Sequence, residues 1–125
     1  MDENEIGRKL LGCALRVHKA LGPGLLESAY EACLSYELTK ARIEHQRQLA
    51  SSIVYDGAII DLGYRLDLLI ENLVVVEVKA IDRLVDVHRA QLLSYLKLGG
   101  YKLGYLLNFN VKMLNQGICR MANGL

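Results

Sequence analysis

The sequence predicts an α/β (α+β) protein in which a mixed sheet is flanked by helices. Three observations lead to this fold class. Apolar residues recur at intervals of three and four before residue 41 and again after residue 86, which is typical of amphipathic helices. Residues 48–80 carry the β-branched and alternating patterns of strands instead. The length of 125 residues suggests one domain, which we expect to span residues 1–125.

Two helices are predicted first. Apolar residues from Ile6 to Leu21 form one stripe along a helix, and Gly22-Pro23-Gly24 ends it. A second helix follows from about Leu25 to Ala41.

Three strands are predicted next, at residues 48–55, 58–70 and 73–80, and we expect them to form an antiparallel meander. Asp56-Gly57 is a hairpin signal between the first two strands. The third strand is so rich in valine that it should be central and buried on both faces.

A third helix should bring the chain back to the sheet. Asp82 or Asp86 can cap this helix, which runs to about Leu98. The right-handed crossover typical of such connections then places a fourth strand, at 102–109, parallel to the third. Residues 117–121 are a candidate edge strand.

The composition excludes several classes of protein. A hydrophobic fraction of 52% indicates a globular chain, and the formal net charge of +1 means that nucleic-acid binding would depend on local clusters of Lys and Arg. The acidic N-terminus is not a signal peptide, and no apolar run approaches the roughly 20 residues that span a bilayer. We therefore expect a cytoplasmic protein without membrane contact. Cys13, Cys33 and Cys119 lack paired spacing, so we expect no disulfide or zinc site, and Cys13 and Cys33 should be buried free thiols.

Two charged residues, Glu77 and Lys79, interrupt the most apolar strand. Because side chains alternate along a strand, both point to the same face. Burying a carboxylate and an ammonium group is costly unless they are paired or bound to something. One interpretation is a structural ion pair along the strand. The other is a site that binds a ligand.

Asp67, on the preceding strand, is the candidate partner of Glu77. It faces Glu77 directly only if residues 71–73 form a three-residue loop. A two-residue turn at Glu71-Asn72 would place Asp67 opposite Val76, on the wrong face. A metal site at this pair therefore requires the longer loop or a bulge.

A divalent cation would explain two facing carboxylates. At about 4 Å they repel by roughly 4 kcal/mol at an effective dielectric constant of about 20, and a cation turns this repulsion into attraction. Oxygen ligands suit Mg²⁺ or Mn²⁺ better than zinc, and the backbone carbonyl of Val78 could add another ligand. Lys79 would then orient or deprotonate a water molecule, or stabilise charge that develops on a phosphate.

Three further polar residues are candidates for the site. Gln91 and Tyr95 are four residues apart and share one face of the third helix. If that face covers the strand of Lys79, they can hold the lysine or a phosphate; otherwise they are a surface Gln and a buried Tyr. Glu27 lies in the first turn of the second helix, where the helix dipole alone would favour a carboxylate.

Five blocks of residues occur in order along nearly the whole chain: Gly24-Leu25-Leu26-Glu27-Ser28-Ala29-Tyr30, Gly63-Tyr64-Arg65-Leu66-Asp67-Leu68-Leu69, Glu77-Val78-Lys79, Gln91-Leu92-Leu93-Ser94-Tyr95 and Asn108-Phe109-Asn110. Together they resemble the GxxExxY family of the PD-(D/E)XK nuclease superfamily. The third block matches the E-x-K motif of the superfamily, and the fourth resembles the Q-x-x-x-Y motif of RecB-like nucleases.

The resemblance implies a restriction-endonuclease-like α-β-β-β-α-β core with Glu27 on an early helix. It also implies that Asp67 and Glu77 are metal ligands and that Lys79 is the catalytic lysine.

The leading hypothesis is a nuclease that uses Mg²⁺ or Mn²⁺ to hydrolyse phosphodiester bonds in DNA or RNA. Asp67, Glu77 and Glu27 would hold the ion, and Gln91 and Tyr95 would support Lys79 or the substrate. Candidate phosphate contacts are Arg65, Arg89 and Lys97. The alternative is a catalytically inactive nucleic-acid-binding or dimeric regulatory module on the same fold. The small size of the chain favours a homodimer or a partner that helps to hold the substrate.

Overall fold

The order of helices and strands in the computed structural model, which describes residues 1–125, is the order that the sequence predicts. The helices are α1 (Glu3–Leu21), α2 (Glu27–Lys40) and α3 (Asp86–Gly99). The strands are β1 (His45–Tyr55), β2 (Ala58–Ile70), β3 (Val74–Lys79), β4 (Leu103–Asn108) and β5 (Ile118–Ala122), with a short 3₁₀ helix at Leu114–Gly117 before β5. The candidate edge strand is thus present as β5.

The five strands form one sheet in chain order, β1-β2-β3-β4-β5. Neighbouring strands are antiparallel except β3 and β4, which are parallel and are joined through α3. The α+β fold class, the meander and the crossover are confirmed, and the architecture is consistent with a restriction-endonuclease-like fold.

The sheet separates two apolar cores. On one side, α1 and α2 pack their stripes against β3 residues such as Val76 and Val78. On the other side, Leu92 and Leu96 of α3 pack against Val75. Side chains two residues apart on a strand lie on the same face, so Glu77 and Lys79 share the face of Val75. That is the face of the sheet that α3 covers.

The start of α3 differs from the prediction. Val85 is the N-cap residue, Asp86 is already the first residue of the helix, and Asp82 lies before it. The backbone N–H of Val85 donates to Nδ1 of His88 at 3.0 Å. The predicted cap at Asp82 or Asp86 is therefore wrong, because the N-cap residue has no side chain that accepts from the first turn of the helix, and the His88 imidazole instead accepts from the N–H of the N-cap residue itself.

All three cysteines are free thiols. Cys13 is buried, as predicted, and its burial raises the pKa of the thiol against the opposing effect of Arg16. Cys33 is only half-buried, because it lies at the margin of the core that α1 and α2 form. No helix is both long enough and apolar enough to cross a membrane.

Asn108, at the end of β4, binds the backbone of Ile81, in the segment that follows β3. Its side chain is buried, and it accepts from the N–H of Ile81 at 3.1 Å and donates to the carbonyl of the same residue at 2.9 Å. The N–H of Phe109 donates to the carbonyl of Lys79 at 2.9 Å. Gly117 packs so closely on the Asn108 carbonyl that a Cβ atom would not fit. The backbone around Lys79 is therefore held from the neighbouring strand.

Candidate active site

The register between β2 and β3 brings Asp67 level with Glu77. Ile70 pairs with Val74 and Leu68 pairs with Val76, so residues 71–73 form the three-residue loop that the metal hypothesis requires. Glu71 and Asn72 adopt the left-handed conformation, with φ angles of 52° and 58°, which lets three residues close the turn. The alternative two-residue turn is thereby excluded.

Asp67 lies where β2 separates from β3. The ladder between these strands ends at the pair Leu68–Val76, and the next N–H on this edge of β3, that of Val78, donates to Asp67 Oδ2 at 2.8 Å. The carboxylate therefore takes the place of a strand backbone. Since the N–H and C=O groups of one strand residue point to the same edge, the Val78 carbonyl is also directed toward the side of Asp67.

Glu77 is the most unusual ionisable group in the chain. The residue is 7% exposed, and its Oε1 atom has no hydrogen-bond partner. Burial, followed by the charge of Asp67 and a hydrogen bond between the two carboxyl groups, raises the pKa of Glu77 to about 9, against the opposing charge of Lys79. Buried polar atoms are rarely left without a hydrogen-bond partner, and a bound ligand would supply the partner that Glu77 Oε1 lacks.

Lys79 is half-buried on the same face as Glu77 and forms no salt bridge with any carboxylate of the chain. Its charge still lowers the pKa of Glu77. A structural ion pair along β3 therefore does not account for these two residues. The ammonium group remains available to a phosphate or a water molecule.

Glu27 is not part of this group in the structure. Helix α2 begins at Glu27 itself, two residues later than predicted, and the side chain is exposed. No three acidic, histidine or cysteine side chains are grouped so as to hold a metal ion. The role of Glu27 as a third ligand stays a prediction.

The acidic residue of α2 that does connect to the site is Glu31, one turn after Glu27. It is buried, and Arg47 of β1 forms a salt bridge with it at 3.0 Å. Gln48 donates to Glu31 Oε1 at 2.7 Å and to Asp67 Oδ1 at 3.3 Å, so an amide group links α2 to the site. These three residues could not be predicted from the sequence, because their partners lie on different elements and no local pattern marks them.

Tyr95 and Gln91 have different surroundings. The Tyr95 ring stacks on the ring of Tyr64 with centroids 4.1 Å apart. Burial raises the pKa of both phenols, and the charge of Glu77 contributes to both shifts, which places the tyrosines within electrostatic reach of the site. Gln91 is exposed and forms no hydrogen bond within the chain. Its predicted role in holding Lys79 stays a prediction.

A cavity of about 180 Å³ opens beside the two stacked tyrosines, between the β1–β2 hairpin and the end of α3, with Tyr101 in its wall. A larger cavity of about 580 Å³ lies near the loop of residues 71–73. That loop precedes β3 and is about 13–20 Å along the strand from Glu77. Neither carboxylate lines this larger cavity, whereas Tyr64 and Tyr95 line the smaller one, so we associate the smaller cavity with the site.

The predicted phosphate contacts are spread around the site. Arg65 donates to the backbone carbonyl of Gln48 at 3.0 Å. Arg89 lies 3.7 Å from the Asp86 carboxylate on the same helix, and Lys97 is exposed on α3. Arg65 is the only one of the three with a direct link to a residue that contacts Asp67.

Two carboxylates and a backbone carbonyl at one edge of β3 fit a hard divalent cation. Asp67 and Glu77 could supply carboxylate oxygens, the donor type that Mg²⁺ and Mn²⁺ prefer, and no thiol or imidazole is among these donors. The unpartnered Glu77 Oε1 is the observation that supports the fit. Mg²⁺ usually keeps several water ligands, so two carboxylates are sufficient for it.

Comparison with known proteins gives one family. The family model described as the PD-(D/E)XK nuclease superfamily matches residues 4–121, which include all six elements of the predicted α-β-β-β-α-β core. No curated protein and no solved structure matches the chain significantly.

Proposed function

Because the chain belongs to the PD-(D/E)XK nuclease superfamily, we propose that it is a metal-dependent nuclease that hydrolyses phosphodiester bonds of DNA or RNA. In this proposal residues 1–125 act as one nuclease-like domain of the GxxExxY branch. The single observation that supports it most is the buried Glu77 carboxyl group, which has an unpartnered oxygen and lies beside Asp67. A purely structural role gives no reason to keep such a costly pair in a valine-rich strand.

Asp67, Glu77 and the Val78 carbonyl would hold Mg²⁺ or Mn²⁺. Such an ion, when bound, neutralises negative charge on the phosphate and lowers the pKa of water. The protein contributes the fixed positions of these donors. Asp67 is held through the Val78 N–H, and β3 carries Glu77 on the covered face of the sheet. Glu27 is kept as a further ligand that this proposal does not require.

Lys79 would act on the substrate. Its ammonium group has no carboxylate partner, so it can contact a phosphate oxygen or a water molecule without first breaking a salt bridge. Its backbone is held in place because the Lys79 carbonyl accepts a hydrogen bond from the N–H of Phe109. Stabilising charge that develops in the transition state is the usual role of such a cation. Gln91 and Tyr95 would contact the substrate beside it, together with the small cavity near Tyr64.

The test is cleavage of nucleic acid by the purified chain. We expect Mg²⁺ or Mn²⁺ to support cleavage of at least one of four substrates: supercoiled plasmid, linear duplex, single-stranded DNA and RNA. EDTA should abolish the cleavage. Cation binding without cleavage of any substrate would contradict the nuclease proposal and favour the inactive nucleic-acid-binding or dimeric regulatory module.

A further inference from the structure

Gln48 has a backbone conformation that is unusual in a strand. Its φ angle is +53°, in the left-handed region, which costs a residue other than glycine about 1–2 kcal/mol. Its neighbours Arg47 and Leu49 both pair regularly with β2, so the distortion is confined to one residue. The register of these pairs places Gln48 directly opposite Asp67. A strained residue maintained at a site suggests that the strain serves the site.

The side chain of Gln48 bridges two carboxylates. Its Nε2 atom donates to Glu31 Oε1 at 2.7 Å and to Asp67 Oδ1 at 3.3 Å. The other oxygen of Asp67 accepts from the Val78 N–H at 2.8 Å. Asp67 is thus held at both oxygens, from β1 and from β3. A carboxylate held in this way is restrained in rotation before any cation arrives.

At the other end of the bridge, the Glu31 carboxylate is held in place and its charge is neutralised by Arg47. The Glu31 side chain is 8% exposed, and Arg47 contacts its Oε2 through Nε at 3.1 Å and Nη2 at 3.0 Å. Arg65 donates to the Gln48 carbonyl at 3.0 Å and holds its backbone. Each arginine is thus directed at a group other than Asp67, and the donor that contacts Asp67 from β1 is a neutral amide.

We propose that Gln48 is a positioning residue that orients the Asp67 carboxylate for a divalent cation, with Glu31 of α2 as its anchor. A neutral donor suits this task because it fixes an oxygen without cancelling its charge, whereas a lysine or arginine there would compete with the cation. Hydrogen-bond partners of this kind typically change metal affinity 10–100-fold when they are removed. The inference depends on the cation site of the proposed function.

Two substitutions of Gln48 test the bridge without imposing backbone strain. Gln48→Gly accepts a positive φ and removes the amide. Gln48→Asn also tolerates the left-handed region and keeps an amide, but it is one methylene too short to reach both carboxylates. We expect the dissociation constant for Mn²⁺, measured by calorimetry, to rise about 10–100-fold in both variants. Both should keep cooperative thermal unfolding in EDTA.

The outcomes separate this inference from the proposed function. Wild-type affinity in Gln48→Gly would overturn the positioning role while leaving the cation site intact. Wild-type affinity in Gln48→Asn would overturn the requirement for a bridge of this length. Absence of Mn²⁺ binding by the wild-type chain would overturn the proposed function, and the inference with it. Weakened binding in both variants, with unfolding still cooperative, supports the bridge.

Discussion

Replacing Lys79 with methionine is expected to lower the rate of metal-dependent cleavage by about 10²–10⁴-fold, the usual contribution of a positioned proton donor or charge-stabilising group. Methionine keeps most of the length of the lysine side chain and removes its charge. Affinity for Mn²⁺ should stay equal to that of the wild type or become tighter, because a positive charge is lost next to the carboxylates. Single-turnover cleavage and calorimetry measure the two effects separately.

The matched control for this substitution is Lys9→Met, which removes an exposed lysine from α1, on the other side of the sheet from α3. It should leave both cleavage and cation affinity unchanged. Cleavage by Lys79→Met at the wild-type rate would show that the ammonium group has no part in the reaction. An equal loss in Lys9→Met would indicate a general effect of charge rather than a role for Lys79.

Replacing Glu77 with glutamine is expected to abolish cation binding and, at the same time, to stabilise the metal-free protein at alkaline pH. The pKa of Glu77 is raised to about 9 by burial and by Asp67, whereas in the unfolded chain it has its ordinary value near 4.5. Between these two values the folded protein holds a proton that the unfolded chain has released. The free energy of unfolding therefore falls as the pH rises, by at most about 1.4 kcal/mol per pH unit from this group.

The difference between the wild type and Glu77→Gln isolates this contribution from those of other groups. It should be small below pH 4.5, where the carboxyl is protonated in both states, and should grow from pH 5 to pH 9 in favour of the variant. Above pH 9 it should level off, because folded Glu77 then ionises. Chemical denaturation in EDTA at several pH values measures it. Parallel pH profiles for the two proteins would contradict the raised pKa.

Much of the fold could be predicted because its determinants are local. The apolar stripes of α1 and α2, the Asp56-Gly57 turn and the valines of β3 are signals read within a few residues. For the register of β2 and β3 the sequence left two alternatives, because the length of the loop at 71–73 decides which face Asp67 takes, and the structure selects the three-residue loop. Glu77 and Lys79 could be placed on one face from the sequence alone, whereas the position of Asp67 beside them depended on this loop.

The rest of the site depends on contacts between distant elements. Glu31, Arg47 and Gln48 meet only because α2 packs beside the start of β1, and nothing in their own neighbourhoods distinguishes them from surface residues. Helix α2 begins at Glu27 rather than at about Leu25, and helix ends are the least certain feature of a periodicity argument. The cap of α3 likewise depends on the orientation of one imidazole, that of His88.

A calorimetric titration of Mn²⁺ into the wild-type chain and into Asp67→Asn at pH 7 shows whether Asp67 and Glu77 form a metal centre. We expect one ion bound per wild-type chain, with release of up to one proton as the cation displaces it from the carboxyl pair, and no binding by Asp67→Asn. The proton count follows from repeating the titration in buffers of different ionisation enthalpy. Equal affinity in the two proteins, or no binding by either, would contradict a metal centre at Asp67 and Glu77.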